Sequence, residues 1–365
     1  LPVDAVLQEE LSLRHPNWPV YLEGDPGMEW SWAVRIAGRS HPAHTAAAGA
    51  INPWYDQQMS KAAFDAKLAA LDALKCAESG PEREAALGKA LGDRSNYVVA
   101  KAARIAGEIC AKALIPKLLA AFDRFMTNPA KADPQCWAKT AIIKALSALG
   151  HDDAEVYVRG LRHVQMEPVW GGRQDMAGAL RANCANALVD CRGIPDLDVL
   201  EYIIEALADR DKSVRVEAAR AIGRIDRREA GLLLRLRALI GDSEPEPLGA
   251  VYSALLAIEG RRGIPFIGRF LAAKDDAAQE AALALATTHE PAALELLLAA
   301  LEHAKEPALR NTFATAIALT RLPEAIDFLI AQVEAGSRAA SGALAAIPLD
   351  DAQQARLQQA LSPRT

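Results

Sequence analysis

Aromatic residues make up only 5% of this 365-residue chain, which excludes a core built mainly from large rings. The five cysteines are odd in number and contain no CxxC pair. That pattern excludes a disulfide framework, and the cysteines are expected as small buried residues in a reducing cytoplasm. No apolar run approaches the roughly 20 residues of a membrane-spanning helix. Basic excess is also missing: the formal net charge is −6, opposite to the footprint of a general nucleic-acid binder, although a local basic patch is compatible with it. The chain opens on Leu1 rather than Met, which leaves room for an earlier start or a removed signal.

What the chain has is self-similarity. Asp209–Ile225 (DRDKSVRVEAARAIGRI) lies without a gap on Asp93–Ile109 (DRSNYVVAKAARIAGEI), with eight identical positions. Within the first of these, Val214, Ala218, Ala221, Ile222 and Ile225 form a helical stripe, preceded by Asp209 and Asp211 in a turn suited to capping free N–H groups. Leu197–Ala208 upstream is a second amphipathic helix. One such hairpin cannot bury its own apolar face, whereas stacked copies can. Positions equivalent to Ile222 recur at Ala106, Leu146, Leu188, Leu255, Leu285, Ile317 and Leu344, and an acidic residue thirteen earlier recurs as Asp93, Asp133, Asp175, Asp209 and Asp242. The base at Arg215 recurs as Lys139, Arg181 and Arg310 but is Val99 in the first clear unit.

This Asp…Val-Arg…Ala-Ala…Leu pattern resembles the HEAT repeat, in particular the short bacterial form known from phycobilisome-lyase-like proteins, and covers residues 61–361. The resemblance implies an all-α, right-handed α-α superhelix of about eight helical hairpins, with the second helix of each lining the concave side. It says little about activity, because that family holds scaffolds, adaptors and a few enzymes.

Residues 1–60 do not repeat and hold Trp18, Trp30, Trp32 and Trp54 among six prolines. They are expected to cap the open end of the 61–361 solenoid, with an aromatic binding arm as the alternative. Helices are expected from Ala62–Ala77 onward, closed by the polar Asp350–Leu361, with no sheet of consequence. Two linkers are long, Thr127–Gln135 and Val164–Gln174, and linkers of that size are commonly functional. In the second, Trp170 and Arg173 either present an aromatic and a cation on a flexible Gly-Gly hinge or fold back onto the preceding helices.

Catalytic motifs are not found. Deoxyhypusine hydroxylase, a HEAT-like enzyme, holds two irons with several His-Glu pairs, whereas this chain has His289-Glu290 alone. His41 and His44 have no third ligand, no Ser or Cys stands in a nucleophile motif, and Gly171-Gly172 lacks phosphate-loop spacing. No catalytic, cofactor-binding or metal residue is therefore assigned. The remaining candidate is a surface. Arg104, Lys144, Asn186 and Arg220 share one register on four successive second helices and are expected to line one groove, with the Trp170–Arg173 loop at its rim. Arg215 is expected to be structural, paired with Asp209 or Asp175. The reading favours a non-catalytic cytoplasmic scaffold that binds another protein, without nucleic acid or membrane insertion. The alternatives are a lyase-like, small-ligand-handling subunit and a HEAT-like DNA-repair protein. Partner, pathway and oligomeric state have no signature in the sequence.

Overall fold

The computed structural model describes residues 53–361 apart from Ser79 and Lys274, with burial given from Lys61 onward. The expected N-terminal cap or arm, with Trp18, Trp30 and Trp32, lies outside the described residues. Among the described residues helix α1 (Pro53–Cys76) comes first, and it starts earlier than the Ala62 expected from periodicity. Four hairpins follow: α2 (Pro81–Ala90) with α3 (Asn96–Glu108), α4 (Ile115–Met126) with α5 (Trp137–Ala148), α6 (Ala154–Leu161) with α7 (Gly178–Val189), and α8 (Asp196–Leu207) with α9 (Lys212–Ile222). Four more complete the stack: α10 (Arg228–Ile240) with α11 (Pro245–Glu259), α12 (Ile264–Gly268) with α13 (Asp276–Ala286), α14 (Pro291–His303) with α15 (Pro307–Leu319), and α16 (Pro323–Glu334) with α17 (Arg338–Ala345). Helix α18 (Asp351–Leu361) packs on α16.

Each second helix packs directly on the second helices before and after it, from α3 to α17. Small side chains make that seam possible. Ala102, Ala103, Cys184, Ala185, Ala218 and Ala219 are all fully buried, so neighbouring helices approach without steric bulk. The glycine shared by the two aligned segments has the same cause. A Cβ on Gly107 would stand 3.2 Å from Ala145 Cα, and one on Gly223 would stand 2.7 Å from Ala254 Cβ. The eight positions equivalent to and including Ile222 are buried to within 1%, so the repeat register is the core register. Prolines at the starts of α2, α4, α10's partner α11, α14, α15 and α16 occupy the first turn, where a missing N–H costs least.

The recurrent acidic residues staple one repeat to the next. Asp93, Asp175, Asp209 and Asp242 each accept the backbone N–H two residues on, fixing the inter-helix turn. Arg181 reaches back to Asp175 at 2.6 Å and forward to Asp209 at 2.7 and 3.0 Å. Arg215 was expected on Asp209 or Asp175, but its guanidinium pairs with Asp242, at 2.7 Å through both Nε and Nη2. It meets Asp209 only through that residue's carbonyl, because the Asp209 carboxylate is already held by Arg181. In the longer second repeat the pair becomes Lys139 and Asp133, 3.2 Å apart and both fully buried.

The long second linker is not a loose hinge. Met166–Val169 and Gly172–Asp175 form an antiparallel two-stranded hairpin, β1 and β2, with Val169 opposite Gly172. It is a small exception in an otherwise helical array among the described residues, in keeping with the expectation of no sheet of consequence. Gly171 at the tip has φ +88°, a conformation open to glycine at little cost.

Candidate functional site

The outer faces of α3 and α5 enclose an open groove of about 840 Å³. Its floor is small and apolar, with Ala100, Gly107, Ala141 and Ala145, and its walls carry Tyr97, Trp137, Arg104, Lys144, Thr140 and Gln135. The arrangement follows from helical spacing. Tyr97 and Arg104 are seven residues apart on α3, as are Trp137 and Lys144 on α5, so each helix sets an aromatic and a cation on one face two turns apart. The 40-residue repeat step brings like beside like. The Tyr97 and Trp137 rings meet edge to face at 4.5 Å while staying 48% and 42% exposed. Phe64 of α1 adds a further edge contact to Tyr97 at 6.3 Å.

Arg104 and Lys144 are exposed and have no ion-pair partner among the described residues. Neighbouring charges on the same helix are already matched: Lys101 with Asp72 at 2.6 Å and Glu108 with Lys75 at 2.9 Å. The other two members of the row differ. Glu217 accepts Asn186 Nδ2 at 2.7 Å with one oxygen and Arg220 Nη1 at 2.6 Å with the other. The sequence row thus divides into two unpaired cations over a groove and two side chains tied to one carboxylate.

Behind the groove the two long linkers interlock. Gln135 N–H donates to Glu167 Oε1 of β1 at 2.7 Å, and Gln165 Nε2 donates to the Asp133 carbonyl at 2.8 Å. Asp133, Gln165 and Glu167 are buried here, and Gln135 and Cys136 adopt φ of +61° and +56°, a backbone form unusual for residues with a Cβ. The hairpin is therefore fastened to the turn that carries Gln135 and Trp137. Burial, aided by the nearby Lys139 and Arg181 charges, lowers the His163 pKa against an opposing hydrogen bond to Gln165. Trp170 at the hairpin tip is 95% exposed, so it does not fold back on the helices. Arg173 is exposed and donates to the Met166 carbonyl at 2.8 Å.

Sequence reasoning missed Tyr97 and Trp137, although an aromatic seven residues before a cation, repeated forty residues later, was the signal. Among the described residues no group of three His, Cys, Asp or Glu side chains converges on a metal-sized site. His289, the one His-Glu member, instead places Nδ1 2.9 Å from the Thr320 carbonyl.

Residues 200–286 match the family model of HEAT repeats. No curated protein matches the chain. Among solved structures, human deoxyhypusine hydroxylase with glycerol is 20% identical, with 71% of this chain and 91% of that chain covered and a TM-score of 0.28. The complex of CpcE and CpcF of phycocyanin lyase from Nostoc sp. PCC7120 is 20% identical, with 78% and 94% covered and a TM-score of 0.33. An engineered protein gives 20% identity, 81% and 94% coverage and a TM-score of 0.27. Stacked hairpins in a constant register make the described part of this chain an all-α solenoid, and within it residues 200–286 match the HEAT repeat.

Proposed function

We propose that the chain is a non-catalytic protein-binding scaffold and that the groove between α3 and α5 receives an acidic, partly apolar segment of its partner. The observation that carries this reading is the placement of unpaired Arg104 and Lys144 beside half-exposed Tyr97 and Trp137 over an alanine-lined floor. Packed helices lie about 8–10 Å apart, which is the span of about three residues of extended chain. A segment crossing α3 and α5 with carboxylates at alternate positions, on one face of the extended chain, would come within reach of both long cationic side chains, and its apolar side chains would reach the aromatic rim. The Trp170 hairpin, tied to Gln135 through Glu167, supplies a second contact beside the groove. Five unpaired cysteines support placement in the reducing cytoplasm. Intervals of 33, 30 and 32 residues between Ile222, Leu255, Leu285 and Ile317 support the short form of the repeat.

Photo-crosslinking from Thr140 in the native cell, read by mass spectrometry, identifies the segment, and titration with the synthetic peptide measures its affinity. Arg104→Glu/Lys144→Glu should abolish binding with an unchanged circular dichroism spectrum, and wild-type affinity should fall as salt rises. Retention of the partner by the double reversal refutes the groove as its site.

A further inference from the structure

On the row of first helices, α10 breaks the usual amphipathic pattern. Its inner side buries Ala230, Leu234 and Ala238, yet Leu232, Leu236, Leu239 and Ile240 on its outer side are 55–68% exposed. Outward positions elsewhere in the row are mostly polar or small, as with Lys117, Ala120 and Asp123 on α4 or Glu324, Asp327 and Ala331 on α16; the neighbouring α8 shares the exception, with Leu197 and Ile204 48% and 43% exposed. A helix with apolar residues on its outer as well as its inner side calls for a second packing partner, and an apolar patch rimmed by charge marks an association surface.

The flanking helices indicate what covers it. Helix α8 packs beside α10 and is joined to it by Asp196 and Arg227 at 2.8 Å; its outer face carries exposed Asp198 and Glu201, which have no ion-pair partner among the described residues. On the other side, Arg235 of α10 lies over the Phe266 ring of α12 at 4.3 Å. Arg262 and Arg269, in the short 3-10 turns just before and just after α12, are exposed and likewise without a carboxylate partner among the described residues. The face thus reads acidic, apolar, basic across three neighbouring helices. A two-fold axis running along α10 would set the acidic helix of one copy against the basic helix of another, twice, with the leucines between. That is the self-complementarity an isologous dimer requires. The spacing of Leu232, Leu236 and Leu239, four then three, is also the seam spacing of two helices packed in parallel.

We infer that the α8–α10–α12 face is a homodimer interface, with α10 packed on its counterpart and Asp198 and Glu201 facing Arg262 and Arg269 of the second copy. Because it lies on the first-helix row, it is built from helices other than those that line the groove, and it stands independently of the proposed function.

Sedimentation of the full chain over a concentration series should reach twice the chain mass. Leu236→Asp should return the single-chain mass with an unchanged far-ultraviolet spectrum, since the side chain is exposed in one copy. Asp198→Lys/Glu201→Lys and Arg262→Glu/Arg269→Glu should each lose the dimer, and an equimolar mixture of the two should regain it, because each altered helix then meets an opposite charge. Single-chain mass for the wild type at every concentration, with or without another protein or an amphiphile on the leucines, overturns the inference. So does a dimer that survives Leu236→Asp, or a mixture that stays monomeric.

Discussion

Arg215 holds Asp242 with two 2.7 Å hydrogen bonds across 27 residues, joining the second helix of one repeat to the turn of the next. The Asp242 side chain is 1% exposed and is also held by Arg237. Replacing Arg215 by Ala removes a bidentate charged contact while Arg237 stays in place, so the expected loss is about 2 kcal/mol. Urea denaturation measures it, and Arg215→Lys should recover only part because a lysine cannot form the fork. A denaturation midpoint equal to wild type would remove the staple from the stability of the stack.

The same ladder sets an acid limit. Burial alone would raise the carboxyl pKa of Asp175 and Asp242, but backbone N–H groups and the arginines outweigh it and hold both below the usual range. A depressed carboxylate contributes stability above its unfolded pKa of about 3.9 and loses it as pH falls through the folded value. His163, lowered chiefly by burial, begins to cost stability as pH falls through its unfolded value of about 6.5. Glu280, raised by its own burial, works the other way, since the folded state takes up its proton first. Denaturation midpoints should therefore drop in two stages, below about pH 6.5 and below about pH 4, and His163→Gln should remove the first.

Two equivalent glycines should respond differently to Ala. At Gly107 the new Cβ meets Ala145 Cα at 3.2 Å, whereas at Gly223 it meets Ala254 Cβ at 2.7 Å and Cα at 3.0 Å. Gly107→Ala gains helix propensity worth about 1 kcal/mol and should stay close to wild type. Gly223→Ala must push backbone apart and should cost about 1–3 kcal/mol. Hydrogen exchange should place that damage in α9 and α11, given the nearest-neighbour character of a stack.

Thiol chemistry should separate the cysteines. Cys76 and Cys110 are exposed, while Cys136, Cys184 and Cys191 are buried, and burial pushes the Cys136 thiol up to about 12. A thiolate-selective reagent should modify two residues in the native protein and the other three only after denaturation. Fast modification of Cys184 would show that the α7 seam opens.

The fold was legible because a repeat states its register many times, and burial at Ile222 and its equivalents follows that register without exception. What stayed hidden depended on neighbours. Sequence spacing put Arg215 near an acidic turn but could not show that Arg181 had already taken Asp209, leaving Asp242 as the partner. It aligned Asn186 and Arg220 with Arg104 but not Glu217 between them. The β-hairpin was within reach, since two residues with a glycine between short extended runs are a turn signal. It was obscured because Met166–Val169 and Gly172–Asp175 lack the alternating apolar pattern of a strand and are held in place by buried Gln165 and Glu167.

An arginine that reaches forward to the next turn, as Arg181 and Arg215 do, makes the repeats at those two joints interchangeable. Excising residues 209–241 would bring Asp242 to the position Asp209 occupies against Arg181, with a capping carboxylate and an Asx turn already in place. Around these two joints array length can change by a whole unit without rebuilding the junction, so lengthening or shortening by recombination between these neighbouring repeats is a route open to this chain.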